Sequence, residues 1–307
     1  MPSGSGALRV ARRPLRLSRL RQMPAFDPRV TPARSDLAAK YLEGKVTAAR
    51  VVEGRMMEVI APQAPLRREP RLDIPLDTEA LGGERVTVYD SNAEGWAWGQ
   101  LAADSYVGWL PSSALALCGP AVTHKVAALR TFAFPGPSIK LPPIEALPFG
   151  ARIAVARIAD RMAVTHAGAY VPAAHLKPIG ENESDFVAVA ERFLGVPYLW
   201  GGKSALGLDC SGLVQIALTA YGLSCPRDSD MQEQALGKPV AAADVHSDFR
   251  RGDLVFWRGH VAIVRDHASL VHANAFHMAV AIESIADAVT RIRAAGSEVT
   301  SVRRIGP

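Results

Sequence analysis

Cysteine is scarce. The 307 residues contain three, Cys118, Cys210 and Cys225, and no Cys-x-x-Cys pair. An odd count with no secretory leader argues against a disulfide framework, and the missing pair argues against a structural zinc site. Long apolar runs are also lacking. Nothing approaches the roughly 18 consecutive apolar residues of a membrane span. No continuous apolar region follows the N-terminal charges, as a secretory signal would need, so a cytoplasmic protein off the membrane is expected. Acids are absent before Asp27, while Arg9, Arg12, Arg13, Arg16, Arg19 and Arg21 crowd that stretch. It reads as a basic arm for nucleic acid or membrane, as a disordered tail, or as residues upstream of a true start at Met23. The blander two are preferred, so no nucleic-acid partner is expected.

What is present fits a globular protein. Hydrophobic residues make up 49% and charged ones 21%, with a net charge of only +5. That is enough apolar material for a core, and the length suggests about two domains or a few small ones. Residues 1–45 form the arm and a lead-in. From Val51 to Leu115, alternating stretches such as RVTVYD and GWAWGQLA lie between turn formers, which predicts short strands. A second copy follows. EALGGERVTV (Glu79 to Val88) recurs as EALPFGARIAV (Glu145 to Val155), and GWLPSSAL (Gly108 to Leu115) as AYVPAAHL (Ala169 to Leu176). The expectation is two small β-barrels in tandem, 46–118 and a degenerate 119–180.

Residues 181–307 read differently. Ser184 is a candidate N-cap before DFVAVAERFLG, where Phe186, Val189, Ala190 and Phe193 share a helical face and Gly195 marks the end. A second helix runs through SGLVQIALTAYG, with Gly222 as its cap. GDLVFW, HVAIVRD, SLVHAN and MAVAIES then follow as four strands. Helices ahead of an antiparallel sheet make an α+β domain.

Cys210 falls in the first turn of that second helix if Asp209 or a neighbour caps it. Unpaired N–H groups and the helix dipole there favour a thiolate and lower its pKa. The backbone N–H of Cys210 could stabilise an oxyanion, and Gly212 leaves room for a substrate. A buried structural cysteine is the competing reading, and it is the one adopted for Cys118 and Cys225. A nucleophilic cysteine needs a base, and the base an orienting group. RDHAS is a tight turn that pairs Arg265 with Ser269. His260 and His272 then become diagonal neighbours on one face of a hairpin, about 7–8 Å apart at Cα. Asn274, directly opposite His260, is the rival orienter. His124, His166, His175, His246, His267 and His277 show no such arrangement. Zinc at Cys210, His260 and His272 would have only three ligands, so no metal and no cofactor is expected.

YLWGGKSALGLDCSGLVQ, GDLVFWRGHVAIV and LVHAN together resemble the NlpC/P60 cysteine peptidases, over roughly Ser184 to Ile305. The resemblance implies a papain-like fold, Cys210 as nucleophile, His260 as base, His272 as the group orienting it, and Tyr198 near the oxyanion site. The β-units resemble bacterial SH3-type modules. The combination is similar to γ-D-glutamyl-L-diamino acid endopeptidases of the dipeptidyl-peptidase VI type, which act on free murein peptides. By that resemblance Asp228 and Ser229, in PRDSDMQ, hold the substrate's α-ammonium, and Arg227 orients Asp228. A helix-capping loop is the plainer reading of that stretch. Tyr106 of the first module closes the amine end, and Trp200 walls the cleft or sits in the core. The second module is given a spacer or packing role.

The expected activity is therefore hydrolysis of the γ-D-glutamyl–diamino acid bond in peptides with a free N-terminal L-Ala. An envelope hydrolase acting on intact peptidoglycan through wall-binding SH3-type units is the alternative. A decayed peptide-binding scaffold and an acyltransferase on the same fold are the remaining readings.

Overall fold

The structure, a computed structural model, describes residues 26–240 and 249–306. The arginine-rich stretch up to Met23, and His246, lie outside the described residues. Residues from Phe26 onward are not a loose lead-in. Leu37, Ala38 and Ala39 are wholly buried, and Ala38–Ala39 pairs in parallel with Val51–Val52. The segment straps across the first β-unit, with Val107 N–H donating to Arg29 O.

That unit is a five-stranded antiparallel sheet in the order 107–111, 96–101, 85–91, 55–59, 115–117, with the hairpin 63–66/78–81 beside it. Alternation along these strands sends Val59, Leu66, Val86, Leu101 and Leu110 inward to one core. The second unit has its own core of Val126, Leu147, Ile153, Ala163 and Val171. The internal repeat has a structural meaning. Val107–Pro111 leads through a 3-10 turn into Leu115–Leu117, and Tyr170–Pro172 leads through another into Leu176–Pro178.

The remaining chain is α+β. Phe186–Glu191 (α1) is capped by Asp185, not Ser184, because the Asp185 carboxylate accepts from Val187 and Ala188 N–H. Cys210–Tyr221 (α2) starts at Asp209 and ends at Gly222, whose φ of 96° suits a residue without Cβ. Ten of its residues are buried, so α2 is enclosed all round and not merely on one stripe. Ser229–Ala235 (α3) follows. The sheet has six strands in the order 238–239, 299–304, 253–257, 260–264, 269–274, 279–284. The four expected strands are present. Missed were the two flanking strands and Ile285–Ala294 (α4), which covers the sheet face opposite α2 with Ile285, Ala288, Val289 and Ile292. Ser284 caps α4 through Asp287 N–H, a signal that was readable as Ser-x-x-Asp.

Among the cysteines, Cys225 is buried as expected, but Cys118 is exposed because its strand ends at the surface. The second and third units meet through Phe149 of the second, edge-to-face on Phe193 at 5.5 Å. A cavity of about 350 Å³ lies at this junction, lined by Lys125, Phe149, Lys177, Gln215 and Leu223 among others, and by none of the predicted site residues. Phe193→Ala empties a fully buried ring position. It should lower unfolding free energy by about 3–5 kcal/mol in urea titration; a loss below about 1 kcal/mol would contradict this packing.

Candidate functional site

The start of α2 is fixed by one buried carboxylate. Asp209 Oδ1 accepts from Gly212 N–H at 2.7 Å, and Oδ2 from Gly201 N–H at 2.9 Å. Gly212 does not leave room for a substrate. A Cβ there would sit 2.2 Å from Gly202 O, so the glycine permits two backbones to touch. Arg227 was expected to orient Asp228, but its donors are used elsewhere. It bonds Asp209 at 2.9 and 2.7 Å, Ser211 Oγ at 2.9 Å and Thr78 Oγ1 of the first β-unit at 2.8 Å. At 1% exposed it is buried behind the cleft. It orients Asp209 and joins two units.

Cys210 stands at the first position of α2 and lines a cleft of about 560 Å³ with Tyr106, Tyr198, Trp200, Asp228, Ser229 and Gly259. Its thiol is not shifted down as a bare helix terminus would suggest. Burial, followed by the Asp209 charge, pushes it up to about 12, against the N–H of Val261 and the Arg227 charge. The Val261 contact places the sulfur beside the start of the strand His260–Val264. Tyr198 is held there by backbone pairing to Leu208 and by Tyr198 N–H to Met278 O. Burial and then the Cys210 charge raise its phenol.

The hairpin register is as expected, with Arg265 N–H donating to Ser269 O and Val264 opposite Leu270. His260 Nε2 lies 2.9 Å from His272 Nδ1. Asn274, the rival, turns its Oδ1 to His277 N–H at 2.8 Å instead. Burial takes His260 down to about 3, helped by His272 and Arg291. His272 goes down to about 4 by burial, against the pull of Glu283. Both rings are neutral at physiological pH. His272, His277 and Glu283 offer donor atoms within 4.8 Å of one another, a grouping the sequence did not suggest. Its carboxylate is already engaged by Arg291.

The other end of the cleft holds aspartates and arginines together. Asp228 occupies the cap position of α3, yet its side chain makes no cap bond. Its Oδ2 instead accepts from Tyr106 O–H at 3.1 Å, across 122 positions of sequence. Ser229 is beside it, and Trp200 is 62% exposed on the cleft wall rather than in the core. Two residues here were not anticipated. Arg29, from the strap, is forked by Asp27 and Asp230 and donates to Asp228 Oδ2 at 2.9 Å. Asp77 reaches the cleft with its Oδ2 buried and unpaired. Arg29 reaches Asp228 across 199 positions, so no local pattern marks that contact.

The cleft is thus closed at one end by a neighbouring β-unit. Residues 195–296 match the NlpC/P60 family, and residues 66–115 match the bacterial dipeptidyl-peptidase Sh3 domain. The chain thus carries an NlpC/P60 domain preceded by a bacterial SH3 domain. Over 201 residues it is 32% identical to the γ-D-glutamyl-L-lysine dipeptidyl-peptidase of Bacillus subtilis, covering 59% of this chain and 64% of that one. Over 88 residues it is 39% identical to dipeptidyl-peptidase 6 of Lysinibacillus sphaericus, covering 29% and 31%. The chain therefore spans 31% to 64% of the length of these relatives. The crystal structure of an NlpC/P60 family protein from Bacillus cereus superposes with a TM-score of 0.70 at 20% identity, over 82% of this chain and all of that one, which shows the shared fold. No helix among the described residues is long and apolar enough to cross a membrane.

Asp209→Ala removes the cap of α2 and strands the buried Arg227. A loss of about 3–5 kcal/mol is expected in chemical denaturation, larger than a cap alone would give. A loss of only about 1 kcal/mol would show that Arg227 finds other partners.

Proposed function

We propose that this chain is a cysteine peptidase that hydrolyses the γ-D-glutamyl–diamino acid bond of murein-derived peptides with a free N-terminal L-Ala. The observation that carries the reading is the meeting of Tyr106 and Asp228. Together they close the cleft with a carboxylate that is not used as a helix cap. A buried ammonium needs a paired anion, and this one stands at the dead end of a cleft that also contains Cys210. An acylated N-terminus would press an uncharged amide against Asp228 and the Tyr106 ring. That disfavours intact wall, where the peptide N-terminus is blocked, and fits recycling of free peptides in the cytoplasm. The relatives' names support the same bond class.

In this mechanism the Cys210 proton passes to Nδ1 of His260 as sulfur attacks the γ-glutamyl carbonyl. The oxyanion takes the Cys210 backbone N–H, with Tyr198 alongside. The imidazolium protonates the departing amine, leaving L-Ala-γ-D-Glu as a thioester on sulfur. Water, deprotonated by His260, then releases the dipeptide. Asp228 and Ser229 hold the ammonium, Trp200 walls the cleft, and the second β-unit packs without touching substrate.

Incubation with L-Ala-γ-D-Glu-meso-diaminopimelate, read by mass spectrometry, should yield L-Ala-γ-D-Glu and free diamino acid. Uncut tripeptide with cleavage of intact sacculi would overturn the reading. Cys210→Ala and His260→Ala should each abolish turnover, and retention of most activity by either would remove that residue from the mechanism. Asp228→Ala should raise KM for free-amine peptides by roughly 10-fold or more; equal cleavage of N-acetylated peptide by the parent protein would remove the ammonium gate.

The base form of His260 persists to low pH because burial depresses its pKa to about 3. The acid limb of kcat/KM should therefore fall below the ordinary histidine value of about 6.5. A midpoint at about 6.5 would mean that His260 is solvated in the free enzyme.

A further inference from the structure

His260 and His272 meet at 2.9 Å, but the chain of contacts does not stop there. His272 Nε2 lies 3.1 Å from Glu283 Oε2. Glu283 is clamped in turn by Arg291, with Nε on Oε1 at 3.0 Å and Nη2 on Oε2 at 2.7 Å. The Arg291 guanidinium is seated over the Phe276 ring at 4.5 Å. His260, His272 and Glu283 sit on three adjacent strands of the sheet and Arg291 in the last turn of α4, with His272 wholly enclosed.

The hydrogen-bonding capacities of these groups leave one proton arrangement. Arg291 can only donate, and an ionised carboxylate can only accept. Burial works to raise the Glu283 carboxyl, but the Arg291 fork and the His272 ring outweigh it and hold it below its usual range, so it is ionised. Glu283 therefore receives the proton on His272 Nε2. His272 is neutral, so its Nδ1 must be a lone pair. That lone pair faces His260 Nε2 at 2.9 Å, which must therefore carry the hydrogen. A neutral His260 with hydrogen on Nε2 has its one lone pair on Nδ1. Nδ1 is the atom the mechanism needs as base.

We propose that Glu283 is a positioning residue that sets the tautomer of both histidines. It acts through His272 to present the Nδ1 lone pair of His260 to Cys210. No proton travels along the chain. When Nδ1 takes the thiol proton, His260 becomes an imidazolium whose Nε2–H still donates to His272, and Glu283 remains ionised throughout. The residue is eleven positions from His272, on the next strand, and is its diagonal neighbour on the same face because Leu270 pairs with Glu283 and His272 with Ala281.

This inference rests on the function proposed above only for its kinetic half. The first test needs no substrate. In the full chain with 15N-labelled histidine, the nitrogen shifts of His260 near pH 7 should show hydrogen on Nε2 and a bare Nδ1. Hydrogen on Nδ1 in the parent protein would overturn the proposal, whether or not the peptide is cleaved. The second test compares two variants. Glu283→Leu removes the acceptor and should give a mixed His260 tautomer with kcat down roughly 10- to 100-fold at unchanged KM. Glu283→Gln keeps an oxygen that can accept from both Arg291 and His272, so the parent tautomer and most of kcat should survive. Equal losses in the two variants, or an unshifted tautomer in Glu283→Leu, would reduce Glu283 to a structural ion-pair partner. If Glu283→Leu fails to fold, the parent spectrum decides alone.

Discussion

Asp209 and Arg227 form a buried ion pair on which the rest of the cleft depends. The carboxylate caps α2, holds the loop at Gly201, and accepts two bonds from Arg227, which reaches on to Thr78 in the neighbouring β-unit. A buried pair of this kind adds little net stability compared with apolar residues of the same volume, but breaking it is costly. Its contribution is therefore placement. It puts Cys210 at a defined height on the cleft floor. The same arginine ties that floor to the unit that carries Tyr106.

Further polar contacts make the β-unit part of the site rather than an appendage. Lys203 N–H donates to Glu79 at 2.7 Å, and Gln215 reaches Asp104 at 2.8 Å, both at the same boundary. Shape and charge then divide the cleft. The Cys210 thiol and both imidazoles are neutral at physiological pH, because burial keeps the proton on sulfur and off the rings. At the far end Asp27, Asp228 and Asp230 surround Arg29, while Arg34, Arg68 and Asp77 also line the cleft. In the proposed reading the substrate's N-terminal ammonium pairs with Asp228 at the closed end, and its backbone is laid toward the sulfur.

The readable parts of this site are local in sequence. Cys210 follows a capping aspartate and precedes an apolar helix. His260 and His272 flank one tight turn, so the register of a single hairpin brings them together. Repeated strand and turn motifs likewise exposed the two β-units. What escaped notice depends on contacts between distant segments. Arg227 sits beside Asp228 in the chain, yet its donors point to Asp209 and Thr78. Arg29 reaches across 199 positions, and Glu283 matters only because the next strand lies alongside His272. The thiol shift had the opposite sign to the expectation for a similar reason. A helix terminus is visible in sequence, whereas the burial that outweighs it is not.

The central claim is that one cleft seats an ammonium at Asp228 and Tyr106 while presenting a γ-glutamyl carbonyl to residue 210. A crystal structure of Cys210→Ala soaked with L-Ala-γ-D-Glu-meso-diaminopimelate tests it most directly. The account predicts the peptide's terminal nitrogen within hydrogen-bond distance of the Asp228 carboxylate and its γ-carbonyl above the start of α2. A peptide bound in the opposite direction, or with its amine in solvent, would contradict it.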